Sequence, residues 1–145
     1  SIAANQAIEE YDPTNNRSQI MKTDKNELIL DSYNANPTSM RAAIENFASM
    51  QKGNKVLVLG DMYELGTESE LEHATIGILL NVLTDTKKIL VGEHMKAAFK
   101  ECSDAHYFEN KADAVDYLQS NPITDATILL KGSRGMGLES LVPLL

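Results

Sequence analysis

The run Lys55-Val-Leu-Val-Leu-Gly60 constrains this chain more than any other segment. It is continuously apolar, short, and closed by a glycine. A strand of that composition is covered on both faces, which is the situation of a central strand in a parallel sheet. A helical pattern follows within a few residues, so the sheet has to be layered with helices. Thr67 and Glu70 stand at capping-box spacing, and Leu71, Ala74, Ile78, Leu79 and Val82 recur at helical intervals. That predicts a helix to about Leu83 with those five residues buried.

The same alternation continues in both directions. Ile2 to Glu10 reads as the end of a helix, and Ser18 to Thr23 with Glu27 to Asp31 read as two strands joined by Asp24-Lys25-Asn26, an antiparallel hairpin. From Pro37 to about Lys52, Met40, Ala43, Ile44, Phe47 and Ala48 keep helical spacing, with Asn36 as N-cap, Pro37 at the first helical position and Gly53 as the stop. Ile89 to Gly92 is another buried strand, followed by a short helix from His94 to Lys100. Ala105 to Phe108 is a weaker strand before a helix capped by Asn110 and carrying Ala114, Val115 and Leu118. Thr127 to Leu130 is the last strand, and Leu138 to Leu141 begins the final helix. Repeated strand-helix alternation predicts an α/β three-layer sandwich, a mostly parallel sheet of about six strands with an antiparallel N-terminal hairpin strand and helices on both faces.

The 145 residues form one domain, large enough to bury about two-thirds of the surface of the unfolded chain. The single cysteine, Cys102, cannot form an internal bridge, and the first residues lack the basic-then-apolar pattern of an export signal, so a cytoplasmic location is expected. No apolar run approaches the roughly 20 residues that cross a bilayer. A net charge of −8 with no basic patch argues against a nucleic-acid partner. A small phosphate ligand is still compatible, because it needs only a few local cations and backbone amides.

The unusual polar residues gather in four loops. Arg17 precedes the hairpin. Asp31-Ser-Tyr-Asn-Ala-Asn-Pro37, Gly60-Asp-Met-Tyr-Glu-Leu-Gly66 and Lys131-Gly-Ser-Arg-Gly-Met-Gly137 all follow strands, so in a parallel sheet they share one edge, where open α/β sheets place ligands. Asp31 offers a carboxylate suited to a ribose diol, and Arg17 a planar donor fork suited to phosphate; the plainer alternative pairs the two as a surface salt bridge. Asn34 and Asn36 offer amides, although Asn36 is also the helix cap. Asp61 and Glu64 suggest a magnesium or acid-base pair, or simply carboxylates at a helix start. The Lys131 loop combines two cations, a hydroxyl and three glycines before a helix, a combination suited to anions. The chain contains neither G-x-x-x-x-G-K-[ST] nor G-x-G-x-x-G. The three histidines are too dispersed for a metal motif, so no metal site is expected. His73 merits notice because it stands on the helix beside the Asp61 loop, opposite its apolar stripe.

Taken in order, NNRSQ from Asn15, DSYNANPTSM from Asp31, LGDMYELG from Leu59 with Ser69 and His73, and KGSRGMGLE from Lys131 resemble the C-terminal domain of the Mur ligases, and more narrowly the branch that adds D-alanyl-D-alanine. The resemblance runs from about Ile2 to the end. It implies a Rossmann-like fold and one part of a three-domain, ATP-dependent enzyme of peptidoglycan synthesis. In such an enzyme the carboxylate of a UDP-muramoyl tripeptide is activated as an acyl phosphate, which the amine of D-Ala-D-Ala attacks. The N-terminal and central domains would supply the UDP site, the phosphate-binding loop and the Mg2+ ligands, so the chain alone is expected to be inactive.

By the same resemblance Arg17, Asp31, Tyr33, Asn34 and Asn36 would lie on the ATP side, and Lys131, Ser133 and Arg134 would face the amine and the reacting carboxylate. Asp61, Glu64 and His73 are secondary candidates. Loss of Lys131 is expected to reduce turnover far more than stability. Two other readings stay open: a stand-alone Rossmann-like nucleotide- or protein-binding module, and the same domain of another Mur ligase or of folylpolyglutamate synthase.

Overall fold

The computed structural model describes residues 8–10, 18–31 and 33–145. Seven strands form one sheet: β1 (Ile8–Glu10), β2 (Gln19–Lys22), β3 (Glu27–Asp31), β4 (Lys55–Gly60), β5 (Thr86–Val91), β6 (His106–Phe108) and β7 (Thr127–Lys131). Their order is β1-β2-β3-β7-β4-β5-β6. The first two pairings are antiparallel and the remaining four parallel. Strand β1 stands where the sequence predicts a helix end; Ile8 pairs with Met21 of β2, and the open edge of that strand supplies a ladder no local pattern reveals. The earlier part of that segment lies outside the described residues.

The central strands are apolar throughout because alternate residues serve two cores. Ile29, Leu57, Leu59, Leu90 and Leu129 face one layer, built by α1 (Pro37–Ser49), α2 (Ser69–Asn81) and α3 (Met95–Glu101). Leu28, Val56, Val58, Ile89, Ile128 and Leu130 face the other, built by α4 (Lys111–Ser120) and a terminal 3-10 segment, Leu138–Leu144. That last segment is the predicted final helix in tighter form, with Pro143 inside it. Three crossovers thus lie on one face and one on the other. The return of β7 between β3 and β4 creates a topological switch point at the carboxyl ends of those strands.

Helix α1 starts as predicted: Asn36 and Ser39 form a reciprocal capping box with Pro37 at the first turn. Its stop differs. The helix ends at Ser49, four residues before Gly53, and the buried ammonium of Lys55 donates to the carbonyls of Phe47, Ala48 and Met50 at 3.5, 2.9 and 3.2 Å. A cation at a helix C-terminus satisfies orphan carbonyls and the dipole together, so no glycine is required.

Helix α2 corrects two expectations. No Thr67 capping box forms, because a 3-10 turn, Gly66–Glu68, runs directly into the helix and no side chain caps it. The buried face is also rotated: His73, Ile76, Gly77 and Leu80 point inward, while Leu71, Ile78 and Val82 are 64, 58 and 70% exposed. The helix is apolar on both sides, so periodicity alone could not choose between them. Packing chose the Gly77 side, where a Cβ would collide with the Ala98 backbone of α3.

Candidate functional site

Three of the four polar loops meet at the carboxyl edge of β3, β7 and β4, as parallel pairing requires. Arg17 lies outside the described residues. Asp31 and Lys131 are direct register partners on β3 and β7, two residues beyond Ile29 and Leu129, and so share the α1 face. Their side chains form an ion pair of 3.0 Å at 7 and 1% exposure. The Lys131 ammonium also donates to the Asn34 carbonyl at 3.0 Å. Asp31 therefore has a partner the sequence did not suggest, and two residues expected on opposite sides of a site are one unit.

Asp31 lines a groove of about 490 Å³ along α1, whose other walls include Ser18, Ile29, Ala43, Phe47 and Leu129. Apolar walls with a few polar groups at one end are the usual makings of a small-molecule site. In the loop that follows β3, Tyr33, Asn34 and Asn36 are exposed. The Asn36 side-chain oxygen accepts from the Ser39 N–H at 2.8 Å, so that oxygen is committed to capping α1.

The Lys131 loop forms a single 3-10 turn, Arg134–Met136. Ser133 is buried: its N–H donates to the Asp61 carbonyl at 2.9 Å, and its hydroxyl oxygen accepts from the Tyr63 N–H at 2.7 Å. With one lone pair so engaged, the hydroxyl still has its proton to donate. Arg134 is exposed and its guanidinium lies 5.3 Å from the centre of the Tyr33 ring. That cation-aromatic contact joins the β3 loop to the β7 loop.

Two of the secondary candidates, Asp61 and His73, make contacts that brace the fold. Asp61 is buried and accepts from the Met95 N–H at 2.9 Å, so it caps α3 from the end of β4. Gly92 makes this fit: its φ is +124° and a Cβ there would overlap the Asp61 carboxylate. Burial pushes the Asp61 carboxyl above its ordinary range, against the opposing pull of the His94 and Met95 amides. Glu64 is exposed and takes a left-handed φ of 63° in the turn.

His73 is fully buried, on the packed side of α2. Its Nε2 accepts from the Met62 N–H at 3.0 Å while Nδ1 donates to the Ser69 carbonyl at 2.7 Å, which assigns a neutral ring. Burial accordingly lowers its pKa. Among the described residues no group of three or more His, Cys, Asp or Glu side chains could hold a metal ion.

Two residues of this edge were not singled out in the sequence. Tyr63 packs beneath Gly135, and Lys111 donates to the carbonyls of Met136 and Gly137 at 3.1 and 3.0 Å. The available signal for Lys111 was a lysine at the first position of a helix, where the dipole favours acids.

Known proteins resemble this chain. The UDP-N-acetylmuramoyl-tripeptide–D-alanyl-D-alanine ligase of Bacillus subtilis is 38% identical over 138 residues, covering 89% of this chain and 30% of the relative. The ligase of the same name from Escherichia coli is 37% identical over 121 residues, covering 81% of this chain and 26% of the relative. A crystal structure of MurF from Acinetobacter baumannii superposes with a TM-score of 0.75 at 34% identity, over 86% of this chain and 29% of that one. The chain thus spans less than a third of the length of these proteins. The profile of the family described as Mur ligase, glutamate ligase domain, matches residues 16–134, and the chain belongs to that family.

Proposed function

We propose that this chain is the C-terminal domain of a three-domain ATP-dependent ligase that joins D-alanyl-D-alanine to UDP-N-acetylmuramoyl-tripeptide. The observation that carries this reading is the convergence of the Asp31, Asp61 and Lys131 loops at the switch point of a chain 38% identical to a ligase of that name. The groove beside Asp31 takes the nucleoside side of ATP, and Tyr33, Asn34 and Arg17 are assigned to the same nucleotide. Asn36 holds the start of α1 in place beside it.

Ser133 and Arg134 face the incoming amine and the acyl phosphate, and Lys131 supports them through its buried pair with Asp31. When the amine attacks, negative charge grows on the acyl oxygen. The hydroxyl of Ser133, held by the Tyr63 N–H, and the guanidinium of Arg134 stabilise that charge. Lys131 is largely neutralised by Asp31, so it acts chiefly by holding the β3 and β7 loops in register. Mg2+ and phosphate activation are assigned in this reading to the other domains of the ligase.

An amide NMR titration of this chain with ATP tests the assignment. Shifts should concentrate at residues 31–34 and 131–134; shifts confined to α3 and α4 would refute it. In the full-length enzyme, D-Ala-D-Ala should be preferred to single amino acids as the acceptor amine. Equal use of single amino acids would favour another ligase of the family.

A further inference from the structure

A single turn of 3-10 helix has almost no stability of its own, so the Ser133–Met136 turn must be held from outside. Three contacts come from Tyr63. Its N–H donates to Ser133 Oγ at 2.7 Å, its hydroxyl donates to Met136 Sδ at 3.0 Å, and its ring lies so close under Gly135 that a Cβ there would stand 2.8 Å from Cε2. Lys111 holds the far end by two hydrogen bonds, to the Met136 and Gly137 carbonyls at 3.1 and 3.0 Å. A cation is favourable at those carbonyls and unfavourable at the start of α4, where Lys111 resides. The sum makes sense only if fixing the turn matters.

We propose that Tyr63 and Lys111 are positioning residues that clamp this turn and so set where Ser133 and Arg134 meet the acceptor amine. Neither belongs to the Asp31–Lys131 pair; both act through the turn. The inference rests on the reading of that turn as amine-facing, and the test separates the two.

In this chain, hydrogen exchange of the Ser133, Met136 and Gly137 amides should speed up about tenfold or more in Lys111→Met and Tyr63→Ala, with the β7 amides unchanged, because only local bonds are lost. Tyr63→Phe, which keeps the ring under Gly135, should stay within about threefold of the parent, since sulfur is a weak acceptor. In the full-length ligase, Lys111→Met should raise the KM for the dipeptide about tenfold and leave the KM for ATP within about twofold, as expected for a misplaced contact. Unchanged exchange in both variants overturns the clamp whatever the enzyme does. Faster exchange with an unchanged dipeptide KM overturns the amine-facing reading of the turn, and with it the positioning role. Should Tyr63→Ala fail to fold, Gly135→Ala, which pushes the turn off the ring, gives the same two readouts.

Discussion

The buried pair of Lys131 and Asp31 makes the strongest quantitative demand on this chain. At 1 and 7% exposure and a separation of 3.0 Å, both groups are largely withdrawn from water, Lys131 the more completely because Asp31 borders the groove along α1. Lys131→Met keeps the apolar stem but leaves a carboxylate without its ion-pair partner between β3 and α1. Breaking one side of such a pair usually costs about 3–5 kcal/mol, against about 0.5 kcal/mol or less for a surface substitution. For a domain of this size that corresponds to about 10–16 °C in melting temperature. Stability as well as turnover should therefore fall, contrary to what a lysine in a polar loop suggests.

Asp31→Asn should cost less, because an amide oxygen can still accept from Lys131. The double variant Lys131→Met with Asp31→Asn should recover about 2 kcal/mol relative to additivity, because no charge is then left unpaired. Urea unfolding followed by circular dichroism at pH 7 gives all four corners of the cycle. A loss below about 1 kcal/mol for Lys131→Met, or strict additivity in the double variant, would show the pair to be solvated and the reasoning wrong.

Other outcomes follow from the packing and titration behaviour. Gly77→Ala should destabilise by about 1–3 kcal/mol, seen as a lower urea midpoint, because the new methyl meets the Ala98 backbone; a neutral result would mean α2 and α3 slide apart freely. The Cys102 thiol is buried and pushed up to about 11, so Ellman's reagent should modify it only as fast as the native structure opens; rapid reaction without denaturant would contradict its placement. His73, lowered chiefly by burial, leaves the unfolded chain binding more protons below about pH 6.5. This histidine's contribution to stability should thus fall as pH drops from 7 through that window. Its ring resonances should titrate below the ordinary histidine range; a higher midpoint would place His73 at the surface.

Much of the architecture was legible because it depends on short-range constraints. Apolar runs such as Lys55–Gly60 announce strands covered on both sides, Asn36-Pro37 and Asn110 announce helix starts, and alternation of the two periods implies a layered parallel sheet. The three loops that follow β3, β4 and β7 could be identified as neighbours for the same reason, since parallel strands put all their carboxyl ends on one edge.

What needed the tertiary structure was every choice between locally equivalent options. Helix α2 has two apolar faces, and only the approach of Ala98 to Gly77 selects the one that is buried. The stop of α1 is made by Lys55, a residue of the next strand. Asp61 could cap its own following helix and instead caps α3. Asp31 and Lys131 are separated by a hundred residues, and their pairing exists because β7 inserts beside β3. Sequence by itself determined most of the strands, helices and polar loops, with β1 the exception, through period and capping. The tertiary structure alone decided which side chains meet, because contact energies between distant segments depend on strand order and register, and neither is encoded in any local window.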